Sequence, residues 1–195
     1  MTPSPIDPRK LSSWLEMERR GGGASILLLD VRTREAYESE RIDASNSACI
    51  EPTVLLRSQI DAQGLESALV VSPDNEEKAF NARAGFKFVV MYDDGSSSVS
   101  GRKELGALFK VMVEDVSGRK TPLPPMLLVG GLKEWKKELG TTGLIGRSIP
   151  ARQRSMGKVD PSPERAEKAD RRRAHVRDGA VFEPCVDNLR DETVD

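Results

Sequence analysis

The stretch SILLLDVRTREAYESERIDASNSACIEP, residues 25–52, holds a strand, a short helix and a second strand in immediate succession. Ser25 to Asp30 is an unbroken apolar run rather than an alternating one. Such a run suits a strand covered on both faces, because neither set of side chains then meets water. Thr33 is placed to cap TREAYESE as a helix. NSACIEP reads as a second short strand, stopped by Pro52.

The same grammar continues outward. Asp7-Pro8 starts a helix, with Leu11, Trp14 and Leu15 as its apolar stripe and Gly21-Gly22-Gly23 as its end. TVLLRSQI reads as helical, Asp61 to Ser72 as a connection, and PDNEEKAFNARAG as a helix. FKFVVMY is a third strand. GRKELGALFKVMVEDV is an amphipathic helix with Leu105, Leu108, Phe109, Met112 and Val113 on one face. Pro122, Pro124 and Pro125 break it and lead into MLLVGG, a fourth strand, followed by LKEWKKELG as a closing helix. Strands alternating with helices predict an α/β domain over residues 5–140, with a central parallel sheet and helices on both faces. Its strands are expected near 26–30, 47–50, 87–92 and 126–129. Residues 147–177 are rich in Arg and Lys, and 178–195 are mostly acidic. Apolar residues there follow no period, so 141–195 is expected to be a disordered charged tail.

The 195 residues carry a net charge of −1, which gives no overall bias toward nucleic acid or anionic membrane. The single histidine, His175, lies in the expected tail, which argues against a His-dependent triad or a multi-histidine zinc site. Cys49 and Cys185 have no metal-binding spacing; Cys49 reads as a small core residue and Cys185 as an incidental thiol. MTPSPIDPRK lacks the apolar segment of a secretory signal, and apolar runs stop at about five residues, short of a membrane span. The expectation is a soluble intracellular protein with reduced thiols, no cofactor and no metal.

Three stretches resemble rhodanese-like domains. In LLLDVRTREAYESERIDASNSACIEP, a strand ends in Asp30-Val31-Arg32, Tyr37 follows five residues after the Arg, and Ile42 five later. FVVMYD resembles the strand leading into the family's active loop. MLLVGGLKEW resembles its last strand, its Gly-Gly turn (Gly130, Gly131) and its helix with Trp135. The combination with CIEPTVLLR is similar to the rhodanese-like module near the N-terminus of ubiquitin-specific proteases, above all the fungal endosomal type. Two positions depart from the pattern: Glu40-Arg41 stands where Gly-His is common, and Ala36 where an acid is usual.

The resemblance bears on FVVMYDDGSSSVS, residues 88–100. Active rhodaneses carry a cysteine directly after the strand's aromatic residue, a cradle of backbone N–H groups and a following Arg; the cysteine takes up sulfur as a persulfide. Phosphatases of the same fold use that cysteine against phosphorus. Both need a thiolate. Here Asp93 stands at that position, followed by Asp94, Gly95, Ser96, Ser97 and Ser98, with Arg102 nine residues on. A carboxylate cannot form a persulfide, so the loop is expected to be degenerate and the site to hold no catalytic residue.

Plainer readings stand beside these. DDGSSS can be a flexible Asp-Gly turn with solvated serines. Two adjacent carboxylates without further ligands hold Ca²⁺ or Mg²⁺ only weakly, and a phosphorylated serine cluster is an unspecific reading. Gly130-Gly131 lacks the Lys and extra glycines of nucleotide loops and reads as a tight strand-to-helix turn. Trp14 and Trp135 read as packing anchors, and Arg171-Arg172-Arg173 as a solvated linker rather than a nucleic-acid contact.

The resulting expectation is a non-catalytic rhodanese-like interaction module, related to or truncated from the regulatory region of a ubiquitin-specific protease. Its partner would be a protein of unknown identity, with the ubiquitin pathway and the endosome as the settings the resemblance implies, and no specific nucleic acid. Its setting would be cytoplasmic, with endosomal association implied by the resemblance. The alternative is a sulfurtransferase or same-fold phosphatase with a displaced nucleophile. A complete ubiquitin hydrolase is not expected, because no Cys and His boxes follow residue 140.

Overall fold

Strand β2 (Ile26–Asp30) is buried along its whole length, and the two-residue period of a strand divides its side chains between two cores. Leu27 and Leu29 point into one core, and Ile26 and Leu28 into the other. Burying each of these side chains contributes about 1.5–3 kcal/mol. This is why the run is continuously apolar. The computed structural model describes residues 2–23, 25–115 and 118–147.

The elements follow in order. Strand β1 (Ser4–Ile6) leads to α1 (Pro8–Arg19), β2, α2 (Arg34–Ser39), β3 (Arg41–Ile42) and β4 (Ser47–Cys49). Next come α3 (Pro52–Leu55), α4 (Ala62–Leu69), α5 (Asp74–Asn81) and a 3-10 turn at Arg83–Gly85. The described chain closes with β5 (Phe88–Tyr92), α6 (Lys103–Glu114), β6 (Met126–Leu128), α7 (Gly131–Leu139) and β7 (Leu144–Ile145). A five-stranded sheet has the order β1-β6-β5-β2-β4, and its neighbouring strands are all parallel. Strands β3 and β7 form a separate antiparallel pair.

Each face of the sheet has its own helices. Leu65 of α4, Phe80 of α5, and Leu105, Leu108 and Met112 of α6 pack on the side of Leu27, Leu29, Val89 and Met91. Leu11 and Leu15 of α1, with Leu132 and Trp135 of α7, pack on the side of Ile26, Leu28, Val90 and Leu128. The expected caps are in place. Asp7 accepts from Lys10 N at 2.9 Å, and Thr33 Oγ1 accepts from Ala36 N at 3.3 Å.

Four strands and both sheet faces match the sequence reading, and several details differ. Residues 61–72, read as a connection, contain α4. The Asp61 carboxylate caps it from Gly64 N at 2.7 Å, and Leu65 and Leu69 are buried. The helix expected across TVLLRSQI stops at Leu55, and Gln59 takes a left-handed φ of 57° before α4 begins. Three short strands went unread. Strand β1 contains Pro5 and sits at the sheet edge, where a missing N–H costs nothing. Strands β3 and β7 have two residues each, too few to show a period.

Residues past the expected boundary at 140 still join the fold. Leu144 is buried opposite Ile42, Trp135 Nε1 donates to Thr142 O at 3.1 Å, and Arg147 N donates to Glu38 O at 3.1 Å. The remainder of the expected tail, 148–195, with His175, Cys185 and Arg171–Arg173, lies outside the described residues.

Candidate functional site

Parallel pairing brings β2 and β5 to the same end of the sheet, with Asp30 opposite Tyr92. The segments that follow them, starting at Val31 and at Asp93, therefore emerge side by side, and Val31 N donates to Tyr92 O at 2.8 Å. This carboxyl edge is where open α/β sheets usually place their sites.

The loop after β5 is organised by Asp93. One carboxylate oxygen accepts from Gly95 N at 2.9 Å and Ser96 N at 2.7 Å; the other accepts from Ser96 Oγ at 2.5 Å. Three donors thus turn inward onto one side chain. The loop is also stitched to α7. Leu132 N donates to Asp93 O at 2.9 Å, Lys133 N to Asp94 O at 2.8 Å, and Gly130 N to Ser96 O at 2.9 Å.

This seam explains the two glycines. Gly130 and Gly131 have φ of 72° and 53°, and a Cβ on Gly131 would sit 2.2 Å from Asp93 O. Only a residue without a side chain permits that approach. The turn is tight, as the sequence reading held, and it serves to fasten the loop.

Arg32 lies at the base of the loop, only 6% exposed. Its Nε and Nη2 donate to the two Asp30 carboxylate oxygens at 2.8 and 2.6 Å, and Nη2 also donates to Glu40 O at 2.8 Å. Nη1 faces Asp94 Oδ1 at 3.5 Å. Burial opposes the guanidinium charge, but the Asp30 carboxylate outweighs it and raises the Arg32 pKa. The phenol of Tyr92 beside them is pushed well up, first by burial and then by the Asp30 charge.

A cleft of about 220 Å³ opens in front of the loop, lined by Arg32, Thr33, Asp93, Asp94, Arg102 and Glu104 among others. Two sequence expectations need correction here. Ser96 is not a solvated turn residue: it is buried and bonded to Asp93, because the loop folds inward onto that carboxylate, whereas Ser97 and Ser98 are exposed. Arg102, remote in sequence, returns to the cleft because the chain doubles back before α6.

The remaining signature residues are packing groups. Tyr37 is buried, shares a 2.8 Å hydrogen bond with Ser47 Oγ, and has its phenol pushed up to about 12 by burial. Ile42 and Trp135 fill the core beneath α1 and α7. Cys49 is 2% exposed, donates to Arg32 O at 3.4 Å, and has its thiol pushed up to about 12, mainly by burial.

The sequence reading missed the anchor of the β4 edge. Arg34 grips buried Glu76 at 2.6 and 3.1 Å, and Glu76 accepts from Cys49 N at 2.8 Å. Nothing in PDNEEKAF marks Glu76 apart from its acidic neighbours Asp74 and Glu77, so no local signal could have found it. Among the described residues no cluster of His, Cys, Asp and Glu can hold a metal ion, and no helix is long and apolar enough to cross a membrane.

The architecture matches a solved Saccharomyces cerevisiae protein described as a homolog of single-domain rhodanese and the Cdc25 phosphatase catalytic domain. That likeness covers 80% of this chain and 94% of the other, with a TM-score of 0.50 and 16% identity. The chain has a rhodanese-like fold.

No family model matches the chain. Its sequence relatives include ubiquitin carboxyl-terminal hydrolase 5 of Saccharomyces cerevisiae, 30% identical over 138 residues, or 68% of this chain. Ubiquitin carboxyl-terminal hydrolase 4 of Candida glabrata is 27% identical over 143 residues, or 70% of this chain. The rhodanese-like domain is homologous to the N-terminal rhodanese-like region of these yeast hydrolases. The matched part is 16% of the length of each.

Proposed function

We propose that the chain is a non-catalytic rhodanese-like module that binds a protein partner, related to a regulatory region of ubiquitin-specific proteases. The observation that carries this is the Asp93 carboxylate. It stands directly after Tyr92, where the fold's enzymes need a thiolate, and it takes the N–H groups of Gly95 and Ser96 for itself. Donors already bonded to an internal anion are not free to cradle a thiosulfate or a phosphoryl group. Asp94 adds a second negative charge at the cleft, 66% exposed.

A displaced nucleophile is the alternative, and Cys49 is its candidate among the described residues. Its burial and raised pKa oppose that role, since the reactive species is the thiolate. Two arginines, Arg32 and Arg102, line the cleft, and they are the feature that favours an enzymatic reading. A place in the ubiquitin pathway belongs to the same proposal and rests on the relatives' names; a cytoplasmic setting belongs to it too and rests on the sequence reading. Endosomal association has no described residue to carry it.

The test is sulfur transfer from thiosulfate to cyanide, run beside hydrolysis of an aryl phosphate. Wild-type protein should show no turnover above a denatured control in either assay. Turnover that disappears in Asp93→Ala would sink the reading and make the loop an unfamiliar active site.

A further inference from the structure

Three of the large apolar side chains that the described fold leaves exposed directly follow α3 or α4, two helices that touch at one corner of the fold. They are Leu56 after α3, 53% exposed, and Val70 and Val71 after α4, 63% and 91% exposed. Two clefts flank this corner and share one residue, Arg57. One, of about 570 Å³, runs between α3, α4 and α6 with Leu55, Ile60, Ala107 and Val111 in its wall. The other, of about 450 Å³, runs between α3 and the end of α4 with Val54, Leu69 and Val71 in its wall.

The charges lining both clefts are nearly all satisfied within the fold. Asp61 caps α4 and Asp115 holds Arg83, while Lys110 pairs with Glu114. Arg34 pairs with Glu76, Glu38 with Arg147, and Glu51 accepts from Arg34 N. Arg57 alone has no hydrogen bond or ion pair from its side chain to another described residue. A solvent-exposed guanidinium with no partner in the described fold, shared by two partly apolar clefts, is available to an acidic group of a partner.

We propose that the α3–α4 corner is the docking surface of this module and that it takes a protein segment with a carboxylate set between aliphatic side chains. The carboxylate meets Arg57, whose planar fork suits two-point recognition, and the aliphatic groups enter the clefts on either side. This rests on the reading of the chain as an interaction module and gives that reading a place and a partner chemistry. Neither cleft includes a residue of the loop after β5.

The experiment is selection of a random displayed peptide library on the full chain, followed by titration of the synthesised winners into isotope-labelled protein. Enriched peptides should carry Asp or Glu flanked by aliphatic residues and should shift the backbone signals of Leu56, Arg57, Val70 and Val71. Arg57→Glu should weaken them by at least about tenfold, and Val71→Ser by about threefold or more, with unchanged melting. Arg57→Lys should recover part of the loss. Several results overturn the corner: no binder, binders without an acid, binding indifferent to Arg57→Glu, or self-association of the chain through Val71. Binders that map to another face also overturn the corner, yet leave the interaction-module reading standing. Thiosulfate turnover at Asp93 does the reverse.

Discussion

At Asp93 one carboxylate serves three donors, so its replacements separate charge from geometry. Asp93→Ala leaves two backbone N–H groups and the Ser96 hydroxyl without their acceptor, and the expected cost is about 1–3 kcal/mol. Asp93→Asn keeps an acceptor oxygen for the two N–H groups and should cost less than Ala. Urea denaturation of the three proteins measures both. Asp93→Cys should not by itself create good activity, although Arg32 and Arg102 line the cleft, because the loop loses the group around which it is folded. At Cys49 the raised pKa moves ionisation of the native thiol from the ordinary 9.0 to about 12. At pH 8, well below both values, each unit of elevation lowers the thiolate fraction tenfold, so that fraction falls about a thousandfold. In a Cys185→Ser background, iodoacetamide should therefore modify native protein far more slowly than unfolded protein, with the rate still climbing above pH 10. A native rate with a midpoint near 9 would contradict the burial of Cys49.

Among the elements, the join between the loop and α7 is the least tolerant. Gly131→Ala puts a methyl group against Asp93 O in a left-handed backbone, and the expected loss is about 1–3 kcal/mol. Gly106→Ala, inside α6 with nothing within 4 Å of the new Cβ, should instead stabilise by about 0.4–1 kcal/mol. Thermal melts of the two variants should move in opposite directions.

The sequence made these elements legible to unequal degrees. Ile26–Asp30 and Phe88–Tyr92 are long apolar runs, and both sheet faces follow from them. Helix α4 was obscured by Gly64 just before Leu65 and Ser67 between Leu65 and Leu69, although Asp61 three residues before Gly64 is a capping signal. The loop's composition was legible, because Asp93 follows Tyr92 wherever the chain goes. Its packing was not, since the burial of Ser96 and the return of Arg102 depend on α6 and α7 and not on neighbouring residues.

The molecule as described rests on one sheet shared by two cores, so a loss in the central strands reaches both. Leu128 is fully buried beside Ile6 and Val90, and Leu128→Ala should cost about 2–5 kcal/mol, a large part of the stability of a domain this size. A melting temperature unchanged within error would contradict its place in the core. The same sheet holds the ends of β2 and β5 together and fixes Asp93 at its carboxyl edge, the position that the proposed function reads as that of a lost thiolate. The claim that this fold has kept its scaffold and given up its chemistry is tested most directly by intact and peptide mass spectrometry after exposure to thiosulfate. The account predicts no gain of a sulfur atom on Cys49, the cysteine of the described fold. A persulfide there, formed with release of sulfite by native and not by unfolded protein, would contradict it.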